Sequence, residues 1–202
     1  MELIILDIIG IIAFALAGYI ISSRSDHDLL GITIISFVSA FGGGVTRDIL
    51  INSTPLIFST TYPLIVVTIV IAVAFLLKYH HTEKLNENKL FVLADTIGLS
   101  TFAYTGAMTG LLIGFNFGGV LFLGLISAVG GGLIRDVIMG KEAYVLKEDF
   151  YGIVAIFISI LTFFIHTFIG VTIMWTSIII FSGVILRLIA VKYNWHLPSL
   201  SS

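Results

Sequence analysis

The sequence contains no cysteine, which removes disulfides, thiolate metal sites and thiol chemistry. It is also poor in charge. Asp, Glu, Lys and Arg make up 11% of the 202 residues, against roughly 25% in soluble domains. The formal charge of -2 gives no basic field for nucleic acid. The five histidines, including His80-His81, fall mainly at expected helix ends or loops and lack metal-ligand spacing. No nucleophile–base arrangement or phosphate-binding loop is visible, so neither an enzyme nor a cofactor is expected. The first residues lack the basic segment of a cleaved leader and read as the start of a membrane helix.

What the chain does have is long apolar runs. Hydrophobic residues account for 58%, and the mean hydropathy is +1.13. A chain of this kind cannot cover itself with polar groups, so lipid is its natural solvent. A spanning helix needs about 20 mostly apolar residues, and seven segments qualify: 3–22, 29–50, 62–80, 90–111, 117–139, 149–168 and 171–191. The last two form one run, with a hairpin expected at His166, Thr167 and Gly170.

Seven alternating crossings put eight of the ten basic residues on one side: Arg24, Lys78, Lys84, Lys89, Lys141, Lys147, Arg187 and Lys192. The opposite loops, 51–61 and 112–116, carry none. Basic loops stay in the cytoplasm, so the N-terminus is expected outside and the C-terminus inside. Arg47 and Arg135 remain within spans.

A shift of 88 residues aligns 7–48 with 95–136 without a gap, giving 14 identities in 42 positions. The matches fall mostly on Gly, Asp, Arg, Ser and Phe rather than on the Ile and Leu that membrane composition supplies. Each copy holds three spans, an odd number, so the second copy enters the membrane from the opposite face. The expected architecture is an all-α integral membrane fold of seven transmembrane helices, a 3+3 inverted repeat plus a seventh helix. It is one membrane domain, with repeat one at 1–84, repeat two at 85–168 and the seventh helix at 169–202. Inverted repeats build transport proteins whose pathway lies between the halves.

The strongest motif is Gly-Gly-Gly-x-x-Arg-Asp, at Gly42, Gly43, Gly44, Arg47 and Asp48, and again at Gly130, Gly131, Gly132, Arg135 and Asp136. A glycine inside a helix costs about 1 kcal/mol relative to alanine. The second and fifth spans are therefore expected to kink or unwind at the triplets, where freed carbonyls could replace part of a cation's water shell. Small residues also serve close helix packing.

Ionised groups inside a span usually mark a pathway or a buried pair. Asp7, Arg47 and Asp48 lie at outer depth, and Asp95, Arg135 and Asp136 at inner depth. Adjacent residues point apart on a helix, so Arg47 is expected to pair with Asp7 and Arg135 with Asp95. Asp48 and Asp136 would then be left to attract cations.

The fourth span is the polar one, with Thr96, Ser100, Thr101, Tyr104, Thr105 and Thr109, where the first span is almost wholly apolar. Ser100, Tyr104 and Thr105 form part of one hydroxyl-bearing face. Ser39 and Ser127 each precede a triplet by three residues. These hydroxyls are further candidates for a pathway wall.

Seven spans with glycine triplets in the second and fifth resemble the trimeric intracellular cation (TRIC) channel family. The paired Gly-Gly-Gly-x-x-Arg-Asp motifs are similar to its prokaryotic branch, over essentially the whole chain. The resemblance implies a homotrimer with a pore in each subunit, passing K⁺ with Na⁺ without ATP or a cofactor. Animal relatives hold a phosphoinositide through a Lys and an Arg near the second break; here Arg135 stands alone in that part of the span. The short chain without a retention tail fits a prokaryotic plasma membrane. A secondary transporter of a small solute such as an amino acid uses the same architecture and is the alternative function.

Overall fold

The computed structural model describes residues 2–25, 27–77, 84–143 and 150–195, and every regular element among them is an α-helix. In chain order these are α1 (Glu2–Ser22), α2 (Leu29–Leu50), the single turn α3 (Leu56–Ser59), α4 (Tyr62–Leu76), α5 (Lys84–Leu112), α6 (Phe117–Ile138), α7 (Tyr151–Phe168) and α8 (Ile173–Lys192). Six of them are long and apolar enough to cross a membrane: α1, α2, α5, α6, α7 and α8. Helix α4, at 15 residues, spans about 22 Å, short of a hydrocarbon core of about 30 Å. The segment expected to complete this span, 78–80, lies outside the described residues, as do Lys147 and the side chain of Lys84.

The burial pattern is inverted relative to a water-soluble protein. Leu30, Phe58, Leu76, Phe168 and Phe181 are exposed, while Ser36, Ser39, Asp95, Ser100, Ser127 and Arg135 are sealed inside. Such a surface needs an apolar solvent. The sixth and seventh expected spans separate at Gly170, whereas His166 and Thr167 still belong to α7. Helix α7 ends at Phe168, Gly170 takes φ +104°, and the Thr172 side chain accepts from Trp175 N at 3.4 Å to start α8.

The 88-residue correspondence extends to local geometry. Helix α2 is capped by Asp28, whose Oδ1 accepts from Gly31 N at 2.7 Å; α6 is capped by Asn116, whose Oδ1 accepts from Gly119 N at 2.9 Å. Both helices close in the same way. Ser53 N donates to Asp48 O at 2.8 Å and Lys141 N to Asp136 O at 2.9 Å. The residue before each donor is left-handed, Asn52 at φ +54° and Gly140 at φ +64°, as this type of helix end requires.

The two copies pack together along α1, α2, α5 and α6. Phe14 and Phe102 stack face to face, with centroids 5.5 Å apart and planes within 9°. Each ring lies against the partner helix's glycine, Phe14 on Gly98 and Phe102 on Gly10, where a methyl group would touch the ring at 2.6 and 2.8 Å.

Candidate charged seam between the repeats

Helices α2 and α6 cross at the glycine triplets. A Cβ at Gly43 would collide with the Ser127 carbonyl oxygen, and one at Gly131 with the Ser39 carbonyl oxygen. A Cβ at Gly42 would lie 3.0 Å from Gly131 Cα, and one at Gly130 would lie 3.1 Å from Gly43 Cα. The sequence suggested a kink or unwound backbone here, and the backbone is not unwound. Instead, both helices run as uninterrupted α-helix through their triplets. The physical reason is that each glycine face is met by the other. Two bare backbones approach closely and gain the contact that missing side chains would otherwise supply. Breaking the helix would free carbonyls in an apolar setting, at a cost of several kcal/mol each.

A charged cluster flanks this crossing at each end. They are called outer and inner after the faces expected from the sequence. In the outer cluster Arg47 Nε donates to Asp48 Oδ1 at 2.8 Å, while Arg47 Nη1 lies 3.6 Å from Asp7 Oδ1 and 3.5 Å from Thr105 Oγ1. Asp48 Oδ2 accepts from Leu56 N at 3.3 Å, tying α3 to the end of α2. In the inner cluster Arg135 Nε donates to Asp136 Oδ1 at 2.8 Å, and Nη1 donates to Asp95 Oδ1 at 3.1 Å. The Arg135 guanidinium also covers the Phe91 ring at 5.3 Å.

The expected pairs, Arg47 with Asp7 and Arg135 with Asp95, are therefore present. The idea that adjacent residues would point apart and leave Asp48 and Asp136 free needs correction. Arginine's long stem lets Nε turn back to the next residue while Nη1 reaches across to another helix. Each guanidinium binds two carboxylates.

The hydroxyl face of α5 divides. Thr105 joins the outer cluster, whereas Tyr104 points toward α7 and α8, its hydroxyl bonding His166 Nε2 at 2.9 Å and Thr176 Oγ1 at 2.7 Å. Ser100 lies against Gly183 of α8. Ser127 and Thr101 donate to their own helix, to Leu123 O at 2.6 Å and Ile97 O at 2.8 Å. Ser39 Oγ is buried without a hydrogen-bond partner among the described residues.

The sequence groups Arg187, at the end of the seventh span, with the charges of the basic side. It is in fact 2% exposed. It occupies the buried face of α8 with Thr176, Ile179, Gly183 and Ala190, and its guanidinium sits 5.3 Å from the centre of the Tyr151 ring. The three-and-four spacing of that face was visible in the sequence. Arg24, Lys89, Lys141 and Lys192 are exposed, as expected of loop-side charges. Lys141 Nζ donates to Ser25 Oγ at 3.1 Å, which places those two loops at one end of the bundle.

A family model described as "Glycine transporter" matches the chain twice, at residues 4–79 and 92–167. The Bacillus subtilis UPF0126 membrane protein YvgT is 32% identical over 98% of this chain and 96% of its own length. A solved structure described as "Crystal structure of a prokaryotic TRIC channel in 0.5 M KCl" superposes with a TM-score of 0.90 at 27% identity, covering 98% of this chain and 99% of that one. Another, described as "Structural basis for conductance through TRIC cation channels", gives 0.84 at 30% identity over 98% and 97%. Fold, duplicated motif and relatives agree, and the chain belongs to the prokaryotic TRIC-related family of multi-pass membrane proteins that includes the UPF0126 proteins.

Proposed function

We propose that the protein is a monovalent cation channel, passing K⁺ with Na⁺ through a pore within each subunit of a homotrimer. The observation that carries this reading is the pair of ionised clusters at opposite ends of one inter-repeat seam, meeting at a glycine crossing. Two buried guanidinium–carboxylate groups are costly in lipid, and such groups usually mark an ion path. The similarity to solved TRIC cation channels supports the same reading.

In this reading the chain makes seven crossings in one membrane domain, with repeat one at 1–84, repeat two at 85–168 and a seventh helix at 169–202. The N-terminus faces outward and the C-terminus the cytoplasm of a prokaryotic plasma membrane. The path runs past Ser39 and Gly42–44 on α2 and Ser127 and Gly130–132 on α6, with Asp48 and Asp136 near its ends. Thr105 belongs to the outer mouth, and Ser100 and Tyr104 back the wall from the α7–α8 side. Conduction requires α2 and α6 to bend and part at their crossing, and a contact between bare backbones has no interlocked side chains to hold it shut. The apolar groove between α1, α5 and α8, about 650 Å³ and edged by Ile5, Ile97 and Phe181, faces membrane lipid or a neighbouring subunit.

The family description favours a second reading, a secondary transporter of an amino acid such as glycine. Recordings on purified protein in planar bilayers separate the two. The channel predicts discrete unitary cation currents, smaller by about two- to tenfold in Asp48→Asn or Asp136→Asn as one path charge is lost. Saturable glycine counterflow without unitary currents would establish the transporter instead.

A further inference from the structure

The two charged clusters are repeats of one another, yet they differ by one buried cation. The outer cluster sets Arg47 against Asp7 and Asp48, one positive group against two carboxylates. It is slightly open. The Asp7 side chain is 14% exposed, and a cavity of about 20 Å³, bounded by Asp7, Arg47, Asp48, Gly44 and Phe102, lies beside it. That is room for one water-sized occupant. Asp7 lines this cavity, and its buried Oδ1, 3.6 Å from Arg47 Nη1, has no hydrogen-bond partner among the described residues.

The inner cluster starts from the same three residue types but is closed, with side-chain exposures of 0% for Arg135, 2% for Asp95 and 3% for Asp136. It also receives Arg187 from α8, a helix with no counterpart in the repeat. Arg187 lies over the Tyr151 ring, and the Tyr151 hydroxyl in turn adjoins the cluster, since a Cβ at Gly132 would stand 3.5 Å from both that hydroxyl and Arg135 Nη2. Among the described residues the inner end therefore has, beyond Arg135, a second buried guanidinium one aromatic ring away from its two carboxylates. A surplus carboxylate draws cations into a passage, and an added arginine repels them.

We propose that Arg187 is a positioning residue that sets the cation barrier: held over Tyr151, it offsets the second carboxylate of the inner cluster, whereas the unbalanced outer cluster binds the entering monovalent cation. The inference rests on the conduction reading above. It assigns the two ends of one path different tasks, capture outside and exclusion inside.

The test uses the full-length protein in proteoliposomes with Rb⁺ uptake as the readout. Arg187→Gln raises the uptake rate about tenfold, the order expected from removing a unit charge at short range in a weakly screened interior. Arg187→Lys, which keeps the charge, stays near the parent rate. Arg187→Gln with Asp95→Asn restores the charge balance and returns uptake toward the parent. An unchanged or lower rate in Arg187→Gln, or no reversal by Asp95→Asn, overturns the proposal.

A second readout does not depend on conduction. The cysteine-free sequence makes Ser127→Cys the sole thiol, and Ag⁺ added at the basic side bonds its sulfur as the thiol proton leaves. Arg187→Gln must accelerate this reaction several-fold, and an unaltered rate again overturns the proposal. If the parent and all variants fail to take up Rb⁺ while Ag⁺ labelling still accelerates, the conduction reading falls and the barrier role of Arg187 stands.

Discussion

Gly43→Ala is expected to destabilise the folded protein by about 3 kcal/mol, near the upper end of overpacking costs, with Gly131→Ala close behind. In each case the new methyl group meets a carbonyl oxygen of the opposite helix, Ser127 for Gly43 and Ser39 for Gly131. A backbone atom cannot swing aside as the end of a flexible side chain can, so α2 and α6 must move apart. Gly44 offers the internal comparison. Its nearest neighbour to an added Cβ is the Phe102 ring at 3.8 Å. Gly44→Ala is therefore neutral or stabilising by up to about 1 kcal/mol, because alanine favours helix. Thermal unfolding in detergent, followed by retention of the native oligomer, measures all three. If the triplet acted only through softness of the helix, the three substitutions would behave alike.

Arg135→Met is expected to cost about 3–5 kcal/mol, because it leaves Asp95 and Asp136 buried without their shared guanidinium. Arg135 and both carboxylates are almost wholly enclosed. Adding Asp95→Asn and Asp136→Asn to Arg135→Met removes the stranded charges and recovers much of the loss. Arg47→Met is milder. Asp7 keeps some exposure, and Asp48 retains the Leu56 N–H as a partner. The same unfolding assay compares them, and equal losses at Arg47 and Arg135 would show that the two clusters are not differently sealed.

Much of this arrangement could be read from the residues. The 88-residue shift carried not only Gly, Arg and Asp but their geometry, since Asp28 and Asn116 cap the same helix position and Asn52 and Gly140 share one left-handed turn. Polar and glycine identities survive in an apolar chain only where geometry needs them, which is why they located the pairs Arg47–Asp7 and Arg135–Asp95. The hairpin at Gly170 was legible for a similar reason, as a small residue in an otherwise unbroken apolar run.

Three features were not legible. Helix propensity prices each glycine alone and cannot see that two triplets face one another, so of the kink or unwinding it suggested, the unwinding is absent where the helices continue. Sequence adjacency does not reveal that an arginine can fold back onto its neighbour, so Asp48 and Asp136 were read as free. Arg187 looked like a loop charge because it stands near the end of its run. Its buried place on α8 sets it against Tyr151, a residue on another helix 36 positions earlier in the sequence.

The central claim is that cations travel along the seam where α2 crosses α6, between the two arginine clusters. Anomalous diffraction from crystals of the protein grown with Tl⁺ in place of K⁺ tests it most directly. Peaks beside Asp7 and Asp48, with any further peaks confined to the seam near Ser39 and Ser127, are the predicted result. A seam free of Tl⁺, with ions held only elsewhere in the bundle, would contradict it.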